Sequence, residues 1–570
     1  MSTRTGTKNS IALVGGGQAG SGRPPEAASI SISLVSHTNV GKTTLARTLL
    51  GRDIGEVRDE AHVTEAAEAH VLVQAPSGEQ LLLWDTPGFG DSLRLARRMS
   101  NAGNALGWLL TEVWDRWRDR PFWASQLAIR HVLGQADIVL YLVNASEAPE
   151  DAAYLAPELQ VLALLKKPVL VLLNQTGPVG QPEVATPSAD PSATQPANLA
   201  TEQHATPLSS LVARWQSHLA AHAVVHGVLP LDAFTRCWVQ EAVLWQAVLT
   251  QLPDDRQAVF ARLQAAWQDG QTQRWQQAMA ELARRLGRAA LDREAVPDAG
   301  WRGRLGALGQ VLGHALGRPS GQASATERAM AALAQRLDAD VRQSTDQLIL
   351  LHGLDGHAGR EVLSRLAKHY AVRQPLDEGR AALWGGLVTG ALAGLKADIA
   401  SGGLTLGGGL LAGGVLGALG AAGAVRGVNR IRGSVQSEVA WDAKVLDALL
   451  ANALLGYLAV AHHGRGRGAW VATDPPAGWT DAVDQVLASQ RAEIDGLWQQ
   501  RQVLLAEPLA EPLGELAPGA GYAPAASQAL APTPMPADPA VAAWQLALDK
   551  LIRGASKALL ARLYPQAGLP

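Results

Sequence analysis

Ser36-His37-Thr38-Asn39-Val40-Gly41-Lys42-Thr43 is the stretch that decides the fold. An apolar run, Ile30 to Val35, precedes it, and a helix-forming run from Lys42 to Leu50 follows. Strand, tight loop and helix in that order is the context a phosphate-binding loop requires. Backbone N–H groups of such a loop, with the helix N-terminus, surround a polyphosphate. On this reading His37, Thr38, Asn39, Val40, Gly41 and Thr44 contribute the loop and helix-start contacts. Lys42 reaches the β- and γ-phosphates, and Thr43 places its hydroxyl on Mg²⁺. Ser36 stands where the usual pattern has its first glycine. In a chain with 58 glycines, Gly-Lys-Thr alone has little weight. Its weight comes from Asp85-Thr86-Pro87-Gly88, at the end of a second apolar strand, Leu81–Trp84. Asp85 is then the carboxylate that holds Mg²⁺ through water, and Gly88 the amide that senses the γ-phosphate.

Outward from these motifs the chain alternates strands and helices, which predicts an α/β head with a mostly parallel sheet and helices on both faces. Strand Ile30–Val35 is followed by helix Lys42–Leu50, a hairpin over 69–74 and 80–84, and a helical stretch over 92–134. Trp108, Trp114, Trp117 and Trp123 in that stretch read as core packing or capping of the sheet, or else as a partner-docking face. Buried strands Ile138–Val143 and Val169–Leu173 come next. The Pro/Ala/Thr-rich run 178–207 cannot build a core and reads as a disordered insertion. The sheet resumes over 223–229, and Phe234–Thr250 is the expected closing helix. Beyond it, Asp254–Leu291 and Ala325–Leu351 carry apolar residues at three- and four-residue spacing, the mark of amphipathic helices.

The combination Asn-Val-Gly-Lys-Thr-Thr-Leu with Asp-Thr-Pro-Gly-Phe-Gly about forty residues on resembles the Era/TrmE-type GTPases. Together with Asn174-Gln175-Thr176-Gly177 and the C-terminal features, it resembles one bacterial family in which a P-loop GTPase head precedes the domain of unknown function numbered 3482. The likeness is motif-level over 30–250 and architectural beyond. It implies GTP and Mg²⁺ as ligands and a slow hydrolytic activity in which Lys42, Thr64 and Gly88 serve the reaction. Thr64 is the candidate switch threonine, a Mg²⁺ ligand only while the γ-phosphate is present; a solvated loop threonine is the alternative. Phe89 stands where Ras-like enzymes place a water-orienting Gln, and a phenyl ring cannot hold water by hydrogen bonding. Asn39 is the candidate K⁺ ligand, by likeness to potassium-activated relatives.

Base recognition departs furthest from the pattern. Asn174-Gln175-Thr176-Gly177 replaces Asn-Lys-x-Asp, and Gly177 has no carboxylate for guanine N1–H and N2–H₂. A site built to pair a polar group discriminates strongly, so losing that acceptor weakens discrimination. Asn174 and Gln175 remain candidate base contacts. Asp232 and Ala233 lie where relatives carry a short loop that packs on the base, and Asp232 is the candidate for the missing carboxylate. GTP is favoured by resemblance, with ATP or mixed use next.

At 570 residues two or three domains are expected. The net charge of −3 gives no electrostatic signal for nucleic acid. The single Cys237 excludes an intrachain disulfide framework and fits a reducing compartment. The first 29 residues are polar and Gly-rich, and Ile11–Val14 is too short for a signal-peptide core, so the head is expected to face the cytoplasm. The organisation reads as a disordered tail over 1–29, the head over 30–250, helical regions over 251–380 and 428–505, a Pro/Ala-rich linker over 506–540 and a terminal helix over 541–570.

Between the two helical regions, 381–427 reads as a Gly-rich apolar hairpin. From Ala381 to Val425 the only charges are Lys396 and Asp398. Leu404–Val425 is 22 uncharged residues, roughly 33 Å as a helix, against a bilayer core of about 30 Å. Glycines at 386, 390 and 394, and at 409, 413 and 417, would let two helices approach closely. Arg380 and Arg426 flank the segment, which favours both ends on the cytoplasmic side. A buried soluble hairpin is the alternative. The expected function is thus a guanine-nucleotide switch at the cytoplasmic side of the inner membrane, with an unidentified protein partner and self-association open. The rivals are a soluble cytoplasmic GTPase acting on tRNA or ribosomes, and a nucleotide-stabilised scaffold.

Overall fold

The computed structural model describes residues 28–52, 54, 68–90, 92–101, 107, 120–176, 208–296, 325–354, 437–464, 477–506, 538–565 and 567. The head is a six-stranded sheet of order β2-β3-β1-β4-β5-β6. Its strands are β1 (Ser29–Ser36), β2 (Glu68–Gln74), β3 (Gln80–Asp85), β4 (Ile138–Asn144), β5 (Val169–Asn174) and β6 (Val225–Pro230). The hairpin β2–β3 is antiparallel, and every other pairing is parallel. β4 and β5 are near-continuous apolar runs because a parallel strand covered on both faces has no solvent side.

Alternation along the strands sorts two cores. Val35, Val139, Tyr141, Val143, Val171 and Leu173 face α2 (Ser92–Asn101), α3 (Arg120–Gln135), α4 (Leu155–Leu164) and α5 (Leu208–Leu219). Ile30, Ile32, Leu34, Leu140, Leu142 and Leu172 face the other way, with α1 (Lys42–Leu50) and α6 (Trp238–Gln251). That second core does not end with the head. It continues through Phe260, Leu263 and Trp267 of α7 (Asp254–Leu291) into the C-terminal helices.

α7 has 38 residues, a rod of about 57 Å. Near its start it is tied to the sheet by Arg256 to Asp137 at 2.6 Å and Arg262 to Glu79 at 2.6 Å. Against its length pack α8 (Ala325–Leu351), α9 (Ala443–Ala461), α11 (Arg491–Ala506) and α12 (Pro539–Leu563); α10 (Ala477–Ser489) packs on α9 and α12, and the two-stranded sheet of β7 (Arg293–Val296) and β8 (Ser437–Ala440) packs on α8. Two buried indole N–H groups bond across this packing: Trp275 donates to Ser556 at 3.0 Å and Trp544 to the Leu497 carbonyl at 3.0 Å.

The expected α/β head and helical remainder are what the structure has. α7 and α8 begin and end where periodicity puts them. One boundary is corrected: the closing helix starts at Trp238, not Phe234, because the backbone of 233–235 is bonded to other parts of the molecule. Of the 92–134 stretch, 102–106 and 108–119 lie outside the described residues, as do the 178–207 insertion, linker residues 507–537 and the apolar hairpin 381–425. Among the described residues one helix, α9, is long and apolar enough to cross a membrane by length and composition, and 72% of its apolar window is buried within the protein. Burial of that kind is also what a core helix shows.

Candidate nucleotide site

Register sets the site. Ser33 lies beside Trp84 and Leu34 beside Asp85, so the loop after β1 and the end of β3 emerge together at one edge of the sheet. Asn144 lies beside Asn174, which brings the end of β5 to the same edge. Crevices at the C-terminal ends of parallel strands are where open α/β sheets bind ligands.

The loop from Ser36 to Gly41 closes onto the start of α1. Gly41 has φ +94°, and a Cβ there would stand 2.8 Å from Nδ2 of Asn174, so glycine is required both by backbone and by space. Asn39, exposed at the loop tip, is also left-handed at φ 66°, a conformation its short polar side chain tolerates. Thr38 approaches Gly88 so closely that a Cβ at Gly88 would be 3.1 Å from the Thr38 Cα. Val40 and Thr44 are buried beneath the loop.

Lys42 is buried, with its ammonium 3.5 Å from the Ser36 hydroxyl. Burial pushes its pKa down, and the Asp85 and Glu158 carboxylates push it back up. Thr43 donates to Oδ2 of Asp85 at 2.6 Å. The other oxygen of Asp85, Oδ1, is buried and has no hydrogen-bond partner among the described residues. Burial raises the Asp85 pKa, against the opposing pull of Lys42 and of the Thr43 hydrogen bond. A carboxylate oxygen buried without a partner is costly unless a cation or donor meets it. Hydroxyl and carboxylate oxygens suit Mg²⁺, so Thr43 and Asp85 fit as the groups that would hold it. The ion would there neutralise phosphate charge.

Phe89 is tied to the loop: its N–H donates to the Ser36 carbonyl at 2.9 Å, and it forms an isolated parallel bridge with His37. Its ring is 1% exposed and packs with Val35, Leu95 and Met99. The residue after Gly88 is thus a core group whose ring offers water no hydrogen bond.

Beneath the loop is a cluster that sequence alone did not assemble. His37 Nδ1 lies 2.7 Å from Oε1 of Glu158, whose Oε2 accepts from the Tyr141 hydroxyl at 2.6 Å. The His37 ring stacks on Tyr154 at 4.5 Å and 17°. Glu158 is fully buried, and burial raises its pKa against the His37 contact. The available signal was a lone carboxylate in the apolar helix sequence Leu155–Leu164.

At the base end the side chains are committed to the protein. Asn174 Nδ2 donates to the Val40 carbonyl at 2.7 Å, and its Oδ1 accepts from the Ala233 N–H at 2.8 Å. Asn174 therefore couples the phosphate loop to the loop after β6. Thr48 of α1 donates to the Ala233 carbonyl at 2.7 Å. Asp232 Oδ1 accepts from the Phe234 N–H at 2.8 Å, so one carboxylate oxygen closes its own turn. Gln175 has φ 60°. Thr64 and Gly177 lie outside the described residues.

Residues 31–175 match the family model described as 50S ribosome-binding GTPase. Among curated proteins, the chain is 28% identical over 152 residues to GTPase Era of Heliobacterium modesticaldum, covering 27% of this chain and 41% of that protein. It is 24% identical over 161 residues to GTPase Era of Aquifex aeolicus, covering 28% and 44%. The match thus spans less than half the length of either relative. A solved Era bound to MgGDPNP and a segment of 16S ribosomal RNA is 18% identical and covers 40% of this chain and 58% of that one, with a TM-score of 0.27. Sheet order, phosphate loop, switch aspartate and family match together make the head a P-loop GTPase domain similar to Era.

Proposed function

We propose that the chain is a GTP-binding protein with slow GTP hydrolysis, acting as a nucleotide-dependent switch at the cytoplasmic face of the membrane. The observation that carries the nucleotide part is the Lys42–Thr43–Asp85 constellation. A buried ammonium, a hydroxyl and a half-satisfied carboxylate are gathered at the mouth of a glycine-turned loop. Lys42 would stabilise charge on the β- and γ-phosphates, loop amides would orient the polyphosphate, and Thr43 and Asp85 would hold a Mg²⁺ that neutralises phosphate charge. Slow turnover is supported by Phe89, whose buried ring leaves the attacking water to backbone groups, to a cation near Asn39, or to a partner. GTP over ATP is supported by the match of 31–175 to a GTPase family.

The membrane part is supported by the sequence of 381–425, with two charges in 45 residues, two glycine ladders and basic flanks. Deleting Ala381–Val425 is expected to release the protein from carbonate-washed membranes while guanine-nucleotide binding persists. Full-length protein found wholly in the high-speed supernatant at native expression overturns the membrane part and leaves the nucleotide part standing. A second reading, a ribosome- or RNA-directed GTPase, is favoured by the description of the matching family model. Co-sedimentation with ribosomal particles that depends on GTP is its test.

A further inference from the structure

The base-side loop of the nucleotide site is held by the C-terminal helical region. We propose that the strap His462–Gly464, at the end of α9, shapes this loop for nucleotide, and that Gly464 is a positioning residue for the base end of the site. The proposal rests on the reading of the head as a GTP site.

The contact is backbone to backbone. Gly464 N–H donates to the Phe234 carbonyl at 3.1 Å, and His463 forms an isolated antiparallel bridge with Thr235. The two segments lie so close that a Cβ on Gly464 would stand 2.2 Å from the Ala233 carbonyl oxygen and 2.6 Å from the Phe234 carbonyl carbon. Only glycine permits that approach. Two side-chain ties flank it. Trp238 donates to the Tyr457 hydroxyl at 3.4 Å, and His462 Nε2 lies 2.6 Å from the Tyr564 hydroxyl. Tyr564 also shares a hydrogen bond with the Cys237 thiol. Segment 233–238 is therefore joined to the end of α9 and to the residue that follows α12.

On its other side the same loop meets the nucleotide machinery. The Ala233 N–H is taken by Asn174, its carbonyl by Thr48, and Asn174 reaches on to the Val40 carbonyl in the phosphate loop. A continuous run of bonds thus links the helical region to the loop that would surround phosphate. Rigidity in a binding loop lowers the ordering cost of each binding event and slows release. The chain lacks a carboxylate at Gly177, so a base held by fewer polar groups depends more on the loop's fixed shape. Any partner that moves the end of α9 would, through this strap, change nucleotide affinity, and by linkage the nucleotide would change the partner's affinity equally.

The test uses the full chain and methylanthraniloyl-GDP. Gly464→Ala cannot keep both backbones in place, so the loop must move. Release is expected to quicken about tenfold, equivalent to about 1.4 kcal/mol, with hydrolysis of already bound GTP little changed because Lys42, Thr43 and Asp85 are untouched. Gly496→Ala on α11, where an added Cβ meets open space, is expected to leave release unchanged. A folded Gly464→Ala protein with wild-type release overturns the proposal. Should that variant not fold, amide exchange of the wild type decides. The Gly464 amide is expected to exchange more slowly when GDP binds, and an unchanged rate overturns the proposal. Absence of any guanine-nucleotide binding by the wild type overturns the site reading and the strap together. Binding with unmoved release and exchange overturns the strap alone.

Discussion

The two ends of the crevice are built differently. At the phosphate end the groups come from short segments next to one another in the sheet: Lys42 and Thr43 follow β1, Asp85 ends β3, and their neighbourhood is fixed by the pairing of those strands. At the base end Asn174 and Thr48 hold Ala233 from within the head, and Gly464, 231 residues further along the chain, reaches the same loop from the end of α9. Phosphate chemistry is thus a local property of strand, loop and helix. The shape of the base side is a property of the whole chain. A change at the first end should remove binding outright, and a change at the second should adjust its lifetime and selectivity.

The largest effect is expected from Lys42→Ala. Removing a buried ammonium aimed at the β- and γ-phosphates should cost more than about a hundredfold in affinity, read by titration with methylanthraniloyl-GTP. Retained affinity would break the comparison at its stronger end.

Asn174→Ala comes next. It leaves the Val40 carbonyl and the Ala233 N–H without the partners they have at 2.7 and 2.8 Å. Unmade buried bonds cost about 1–3 kcal/mol each. Release of GDP should quicken and thermal stability should fall together, which calorimetry and stopped-flow fluorescence would show. If stability falls alone, the link between the two ends is structural only.

Acid should weaken both regions in the same window. His131 in the head, 3.1 Å from the Ser33 hydroxyl and with its ring 4.3 Å from that of Trp84 at a tilt of 47°, is pushed by burial from its ordinary 6.5 to about 4. His352 in the helical region is pushed to about 4 by burial, with Arg274, Arg236 and His462 adding to it. Both stay neutral in the fold while the unfolded chain takes up protons, so stability is full above about 6.5 and is lost as pH falls towards about 4, on the order of 2–3 kcal/mol for the fully buried His352 and less for His131, which water partly screens. Denaturant midpoints between pH 7 and pH 4.5 check this. A midpoint that rises on acidification contradicts it.

The smallest effect is expected from Gly177→Asp. Restoring the carboxylate expected by guanine should raise the GTP-over-ATP affinity ratio by about 1–2 kcal/mol. A wild-type protein that already discriminates by orders of magnitude would place that reading in another group.

The phosphate end was legible in the sequence because its chemistry is tied to spacing. Gly41 precedes a helix, Asp85 closes an apolar strand, and both sit where the pattern puts them. Strands β4 and β5 were legible because unbroken apolar runs admit few other readings. The start of α6 was not, since residues 234–237 are held out of the helix by the Asp232 turn and by the bonds to His463 and Gly464, neither of which the local sequence announces. Glu158 was equally hidden, because its partner His37 is 121 residues away. Asn174 was named for the base, while its two bonds to Val40 and Ala233 depend on a third and a fourth segment.

Whether Lys42, Thr43 and Asp85 form a Mg²⁺-dependent nucleotide site is decided by titrating methylanthraniloyl-GTP into wild-type and Asp85→Asn protein, with Mg²⁺ and with EDTA. The wild type is expected to bind far more tightly with Mg²⁺, and Asp85→Asn to lose that gain while keeping a weak, Mg²⁺-independent affinity. Equal affinities in the two proteins, or a wild type indifferent to Mg²⁺, would contradict the account.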